Sequence, residues 1–303
     1  MNNGTENRKT GVLILFGTLV IIMAMLVSCS LNKDGGQKEV SFFIENDRGS
    51  YDLVELSVPA GEGPYPVVLM AHGFAGSLHS GGAVELGKRL AAEGVMAVRI
   101  DFDPYVKPDK SAERTDIYTL SQMNADSVKV LDKVTSEYGG DPDNVSLYGR
   151  SYGGRLMMQM ANESSGGYDY RKLALVAPAG DKIAFRRYLG GKEKYDEMKK
   201  QASGEDGYAV KLGVKIVPEW FEDVESYDPC DFGWKFGDKP VLLFYNTRDN
   251  VVYPDTSVRC AEAYRNHRIV KVTTDDGHGD EMGWKHSELK DRIMDELVEF
   301  LAG

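Results

Sequence analysis

Short apolar runs alternate along the chain with longer stretches in which apolar residues recur at helical spacing. The apolar runs, typical of strands buried on both faces, cover residues 67–71, 95–100, 145–148, 173–176, 241–245 and 269–273. Helical spacing predicts helices over residues 82–93, 118–138, 151–162, 257–265 and 284–301. Alternating segments at 40–44 and 51–58 predict a β-hairpin. This order of elements predicts an α/β fold, with a mostly parallel, twisted sheet flanked by helices.

The alternation of strands and helices stops between about residues 180 and 238. This stretch carries ten Phe, Tyr and Trp residues and begins with a basic segment over residues 182–200. It is too long for a simple loop, so we expect a small helical cap inserted into the domain. The aromatic side chains are candidates either to line a pocket or to attach the cap to the body of the domain.

The N-terminus has the composition of a targeting segment. Arg8 and Lys9 precede an apolar, uncharged run over residues 11–27, the layout of a secretory signal peptide and long enough for a marginal membrane anchor. Residues 26–29 resemble the lipobox of bacterial lipoproteins. This resemblance implies that residues 1–28 are a signal peptide and that Cys29 is lipidated, with a diacylglyceryl group and palmitate. The alternative is an uncleaved signal anchor.

The remaining chain divides into a short tether and one domain. Residues 29–38 are polar and contain glycine, which predicts a flexible tether, and residues 39–303 form the domain with its cap insertion. We expect an extracytoplasmic protein, lipid-anchored to the cell membrane or the outer membrane. Outside the cytoplasm, Cys230 and Cys260 are either a disulfide or two separate buried thiols, and the sequence leaves both open.

Composition narrows the range of partners. The chain has 47 Asp and Glu against 36 Lys and Arg, a net charge of −11, which argues against nucleic acid as a partner. No His, Cys and Asp cluster has the spacing of metal ligands, so neither a metal nor an organic cofactor is predicted. Nothing in the composition indicates the oligomeric state.

One short motif carries the chemistry. Residues 149–153 read Gly-x-Ser-x-Gly, between a predicted strand and a predicted helix, which is the context of a nucleophile elbow. Gly149 and Gly153 supply the small neighbours that so sharp a turn needs. The turn places the Ser151 hydroxyl at a helix N-terminus, where developing negative charge is stabilised. We therefore predict Ser151 as a catalytic nucleophile. A turn serine without chemistry is the alternative.

From about residue 40 to the C-terminus, the chain resembles the α/β-hydrolase superfamily. The resemblance rests on the elbow, on the turn His72-Gly73-Phe74 after the first apolar run, and on residues 246–252. Within the superfamily it is similar to bacterial cinnamoyl and feruloyl esterases, and more loosely to serine aminopeptidase-like and dienelactone-hydrolase-like members. It implies that the N–H groups of Phe74 and Tyr152 form an oxyanion hole, and that His72 is structural.

The superfamily order of serine, acid and histidine implies where the general base lies. Downstream of Ser151 the histidines are His267, His278 and His286. His278 lies in a glycine-containing loop after the last predicted strand, where the fold delivers its base. His267 and His286 are interpreted as surface or capping residues and not as the general base.

The acid is expected after the strand that ends at Tyr245. There, Asp249 takes the acid position of a Gly-x-x-Asp-x-x-Val pattern, in which Asn246 replaces the usual glycine. Asp276 is the rival carboxylate, because it is close to His278 in sequence. A Gly-x-Gly-x-Ser turn that many relatives carry is absent after Phe102, which leaves the substrate class open.

These features together predict a serine hydrolase that cleaves small-molecule carboxylic esters through an acyl-enzyme intermediate. A serine peptidase, of aminopeptidase or prolyl-oligopeptidase type, is one alternative, because the elbow sequence also occurs in such enzymes. A catalytically inactive surface binding protein with the same fold is the other.

Overall fold

The structure is a computed structural model that describes residues 28–31, 36–275, 277–280 and 287–303. The predicted signal peptide therefore lies outside the described residues except for Ser28. In the part of the chain that is described, no helix combines the length and the apolar character needed to cross a membrane.

The strands form one large sheet and one hairpin. In chain order they are β1 (Ser28–Leu31), β2 (Lys38–Glu45), β3 (Tyr51–Val58), β4 (Tyr65–Ala71), β5 (Met96–Tyr105), β6 (Gly140–Arg150), β7 (Leu173–Val176), β8 (Ala209–Lys211), β9 (Val214–Ile216), β10 (Val241–Asn246) and β11 (His267–Val272). The large sheet has the order β1-β2-β3-β5-β4-β6-β7-β10-β11. Strands β4 to β7, β10 and β11 pair in parallel, whereas β1, β2 and β3 are antiparallel.

The helices cover both faces of the large sheet. They are α1 (Ala83–Ala92), α2 (Leu120–Glu137), α3 (Tyr152–Glu163), α4 (Lys182–Tyr188), α5 (Lys192–Ala202), α6 (Pro218–Ser226), α7 (Pro254–Glu262) and α8 (Ser287–Ala302). Alternate side chains of β4 enter different cores. Val67 and Leu69 pack towards α2 and α3, while Val68 and Met70 pack towards α1 and α8. A strand buried on both faces needs a continuous apolar run, which is what the sequence shows.

Several elements begin or end a few residues from the predicted boundaries; β6, for example, begins at Gly140 and not at residue 145. β5 continues to Tyr105, five residues beyond the predicted strand. Arg114 forms ion pairs with Asp101 and Asp103 at 2.7 Å and so holds this end of the strand. At the N-terminus, β1 pairs with β2 and sets Cys29 opposite Val40, so the residues predicted to begin a tether lie in an edge strand.

The cap has more structure than a purely helical insertion. Helices α4, α5 and α6 are present, but between α5 and α6 the chain forms the hairpin β8–β9, where only a helical cap is predicted. Each strand of this hairpin has only three residues, too few to show a recognisable period. Phe185, Trp220 and Phe221 of the cap are buried.

A buried arginine and a disulfide are among the connections that attach the cap to the body. The Arg155 guanidinium of α3 is buried and donates hydrogen bonds to the carbonyl oxygens of Gly180, Val224 and Tyr227. Cys230, which follows the cap helices, forms a disulfide with Cys260 in α7. Of the two states left open by the sequence, the structure has the disulfide.

Candidate active site

Ser151 occupies a strained turn between β6 and α3. Its φ is +53°, a left-handed value that costs a residue with a Cβ about 1–3 kcal/mol. The turn is held because the Ser151 N–H donates to the Val176 carbonyl and the Ser151 carbonyl accepts from the Ala179 N–H, both at 2.9 Å. A Cβ on Gly149 would lie 2.5 Å from the Gly153 carbonyl oxygen. One on Gly153 would collide with the carbonyl oxygens of Ala71 and His72, at the end of β4. The elbow therefore requires both glycines.

His278 links the serine to a carboxylate. It lies in a short 3-10 turn, Gly277–Asp280, after β11. Its Nε2 is 3.0 Å from Ser151 Oγ and its Nδ1 is 2.7 Å from Asp249 Oδ2. Because the carboxylate accepts, Nδ1 carries the proton and Nε2 is left to accept the serine hydroxyl proton. The structure thus brings together the three residues predicted as nucleophile, base and acid.

Asp249 is itself fixed by the turn after β10. The side chain is buried, and its Oδ1 accepts the N–H groups of Val251 and Val252 at 2.8 and 2.9 Å. These two bonds orient the carboxylate and leave Oδ2 for His278. The rival Asp276 lies outside the described residues.

Two other described histidines, His72 and His267, form hydrogen bonds with backbone groups. His267 begins β11, and its Nδ1 lies 2.7 Å from the Tyr264 carbonyl oxygen. His286 lies outside the described residues. His72 is buried; its Nδ1 donates to the Gly73 carbonyl at 2.8 Å, and its Nε2 accepts from the Phe102 N–H at 3.2 Å. Burial lowers the pKa of His72, so this ring is neutral, and both of its nitrogens form hydrogen bonds with backbone groups.

The predicted oxyanion donors lie beside the serine. A Cβ on Gly73 would be 3.2 Å from Ser151 Cβ, so the turn that carries Phe74 runs directly past the nucleophile. Tyr152 begins α3, where backbone N–H groups have no partner within the helix. Among the described residues, neither the Phe74 nor the Tyr152 N–H has a hydrogen-bond partner. Two free donors at one end of the serine turn suit an oxygen that acquires negative charge.

An apolar cavity of about 180 Å³ opens beside Ser151 and His278. Its other lining residues come from the oxyanion turn, the elbow, the cap and the acid turn: Phe74, Tyr152, Ala179, Ala184, Phe185, Tyr188, Leu212, Val251 and Val252. Burial raises the pKa of the Tyr188 phenol to about 12, so it is neutral at physiological pH. In the described part of the chain, no group of three or more His, Cys, Asp or Glu side chains is placed to hold a metal ion.

Comparisons with known proteins identify the fold that carries these residues. The family model described as serine aminopeptidase, S33, matches residues 62–189. The structure of the alpha/beta hydrolase GrgF from Penicillium sp. sh18 matches with a TM-score of 0.62, at 13% identity over 88% of this chain and 99% of that chain. The chain has the α/β-hydrolase fold. The fold class predicted from the sequence is therefore confirmed.

Two further solved structures share this α/β-hydrolase fold. Est1E from Butyrivibrio proteoclasticus has a TM-score of 0.64, at 21% identity over 87% of this chain and 99% of that chain. Acetyl xylan esterase from Paenibacillus sp. R4 has a TM-score of 0.60, at 18% identity over 91% of this chain and 88% of that chain. A comparison with curated protein sequences finds no match.

Some residues that shape the site were missed from the sequence. Leu212 reaches the cavity from the tip of the unpredicted hairpin. Arg150, next to the nucleophile, donates from Nη2 to the His278 carbonyl at 3.3 Å. Asn246, which stands where the superfamily pattern has glycine, has a fully buried side chain between the segments that carry Asp249 and His278. The sequence feature that could have indicated its importance is an asparagine at the end of an otherwise apolar strand.

Proposed function

We propose that this protein is a serine hydrolase that cleaves carboxylic esters. The observation that carries the proposal is the hydrogen-bonded series Ser151–His278–Asp249, with distances of 3.0 and 2.7 Å, beside an apolar cavity. A serine hydroxyl is a weak nucleophile until a positioned base removes its proton. This arrangement supplies the base and the carboxylate that orients it.

The reaction follows from the positions of these groups. Ser151 Oγ attacks the ester carbonyl carbon and its proton passes to His278 Nε2, while the carbonyl oxygen becomes an oxyanion that accepts the N–H groups of Phe74 and Tyr152. His278 then returns the proton to the departing alcohol, which leaves an acyl group on Ser151. Water, deprotonated by His278, attacks that acyl group, and the free acid leaves with Ser151 restored.

The cavity favours an ester over an aminopeptidase substrate. An aminopeptidase binds a substrate ammonium group, which a carboxylate stabilises. The described residues that line the cavity include no Asp or Glu. The name of the matched family, serine aminopeptidase, keeps a peptidase as the second candidate function.

The same cavity favours an aromatic acyl group. Phe74, Phe185 and Tyr188 present ring surfaces within a space of about 180 Å³, large enough for a phenylpropenoyl group. One structure of Est1E that shares this fold, with a TM-score of 0.66, contains bound ferulic acid. We therefore extend the proposal to esters of hydroxycinnamic acids or acids of similar shape.

The test is a panel of substrates assayed with the wild type and with Ser151→Ala. We expect turnover of nitrophenyl and methyl esters, higher kcat/KM for cinnamoyl than for acetyl esters, and no turnover of aminoacyl amides. Ser151→Ala is expected to lose this activity, and Asp249→Asn to lose about 10⁴-fold in kcat, because the histidine then takes the wrong tautomer. Equal activity of the wild type and Ser151→Ala would contradict a serine mechanism, and turnover of amides alone would favour the peptidase.

We also propose that the protein is lipid-anchored outside the cytoplasm through Cys29, after removal of residues 1–28. The sequence at the end of the apolar run supports this, and the Cys230–Cys260 disulfide supports an oxidising compartment. Membrane fractionation of the wild type and Cys29→Ala tests the anchor. Because the apolar run over residues 11–27 can itself hold an uncleaved chain in the membrane, the proteins are also labelled with palmitate. Label on the wild type and none on the variant is expected, and a wild type without label would contradict lipidation.

A further inference from the structure

The buried amide of Asn246 connects the two segments that bring the acid and the base to the serine. Asn246 is the last residue of β10, and none of its surface is exposed. Its Oδ1 accepts the N–H of Arg248 at 3.0 Å and that of Thr274 at 3.3 Å. Its Nδ2 donates to Thr274 Oγ1 at 2.7 Å and to the Gly277 carbonyl at 3.2 Å.

These partners lie next to two of the proposed catalytic residues. Arg248 precedes Asp249, and Gly277 precedes His278. The main chain adds a second bond on the acid side, from the Asp249 N–H to the Asn246 carbonyl at 3.2 Å. One side chain therefore fixes the separation of the two turns whose 2.7 Å contact orients the imidazole. A glycine at this position, which the superfamily pattern usually has, offers no side chain to make the connection.

We propose that Asn246 is a positioning residue for the catalytic histidine: it ties the acid turn to the histidine turn and so sets the Asp249–His278 contact. The inference rests on the proposed function. Asn246 does not touch the cavity, so its loss is expected to change the geometry of the base and not the binding of the acyl group. A misplacement of about 1 Å in a catalytic group costs on the order of 100-fold in rate.

The neighbouring residue offers a matched control. Thr247 Oγ1 is 2.9 Å from Thr273 Oγ1, so it also makes a side-chain hydrogen bond between the segments that follow β10 and β11, but at the exposed surface. Thr247→Ala removes one such bond without touching the turns at Asp249 and His278. If any link between these segments were sufficient, Thr247→Ala and Asn246→Ala would have similar effects.

The experiment compares the wild type with Asn246→Ala, Asn246→Asp and Thr247→Ala. For each protein, kcat and KM for a nitrophenyl ester, the rate of Ser151 labelling by a fluorophosphonate, and hydrogen exchange of the amides of Gly277–Asp280 are measured. Asn246→Asp is nearly isosteric and keeps the two acceptor contacts, but it cannot donate to Gly277. It therefore tests the donor side of the connection if Asn246→Ala does not fold.

We expect Asn246→Ala and Asn246→Asp to lose about 10- to 100-fold in kcat and in labelling rate, with KM within about twofold of the wild type. Exchange at Gly277–Asp280 is expected to accelerate, and Thr247→Ala to behave as the wild type does. Unchanged kcat and exchange, or a rise in KM alone, would overturn the positioning role. A wild type that neither turns over esters nor labels would overturn the proposed function instead, while the exchange comparison would still decide whether Asn246 holds the histidine turn.

Discussion

The attachment of the cap can be tested at a single buried side chain, Arg155. Arg155, 1% exposed, lies in α3 of the body. Its guanidinium donates to the carbonyl oxygens of Gly180, Val224 and Tyr227, all in or at the edge of the cap. It also lies 5.2 Å from the centre of the Phe185 ring. Arg155→Met keeps the unbranched apolar stem beside this ring and removes every donor.

The magnitude follows from two opposing terms. Three acceptors lose a charged donor, and each hydrogen bond to a charged group contributes about 1.5–3 kcal/mol. Against this, burial lowers the pKa of Arg155, which shows that the buried charge is costly, and methionine removes that cost. Allowing about 1 kcal/mol for each bond after this offset gives a loss of about 3 kcal/mol. A loss of that size corresponds to roughly a 150-fold increase in the equilibrium constant for opening of the cap.

Urea unfolding and hydrogen exchange together measure this loss. We expect the variant to exchange faster at the amides of α4 and α6, while the sheet amides of β4 and β6 keep the protection of the wild type. Arg265→Met is the control, because Arg265 is exposed and its Asp238 contact is 4.0 Å long. A loss below about 1 kcal/mol, or faster exchange in the sheet rather than in the cap, would refute the claim that Arg155 fastens the cap.

Three further predictions concern the elbow, the disulfide and a buried carboxyl group. Gly153→Ala should lower the free energy of unfolding by about 2 kcal/mol and abolish ester turnover, because its Cβ would meet backbone oxygens at the end of β4; unchanged kcat would contradict this. Replacing Cys230 and Cys260 with alanine should cost about 3.5 kcal/mol in urea unfolding, from a loop of 30 residues, and remove any effect of a reducing agent. Burial, with Asp126 nearby, raises the pKa of Asp52 to about 8. Between about pH 4 and 8 this carboxyl group is therefore ionised in the unfolded chain and protonated in the folded one, so the free energy of unfolding falls as pH rises. Unfolding curves at several pH values should show that Asp52→Asn flattens this slope, by at most about 1.4 kcal/mol per pH unit.

The sheet and the proposed catalytic residues were predictable because local signals specify them. Runs such as residues 241–245 are apolar without interruption, and only a strand covered on both faces buries such a run in a sheet. Parallel strands end at one edge, so the residues after β6, β10 and β11 meet there. For this reason Ser151, Asp249 and His278, far apart in sequence, were expected together.

Contacts between distant segments were not predictable in the same way. Whether Cys230 pairs with Cys260 depends on how the cap meets α7, which no local pattern encodes. The role of Asn246 depends on carbonyl and N–H groups about 30 residues away, and a sequence shows only that a polar residue ends an apolar strand. The hairpin β8–β9 was not predictable for a different reason, because strands of three residues are too short to show a period-2 alternation of apolar and polar residues.

The aromatic side chains of the cap can line a pocket and attach the cap to the body at the same time. Phe185 lines the cavity, yet its ring also packs against Trp220 at 5.2 Å and beside the Arg155 guanidinium. Tyr152 lines the same cavity and stacks on Trp220 at 6.2 Å, while its backbone begins the helix after the nucleophile. The surface that would hold an acyl group is therefore the inner side of the contact that attaches the cap. Because close-packed side chains transmit changes in volume to their neighbours, the shape of the cavity and the stability of the cap cannot vary independently.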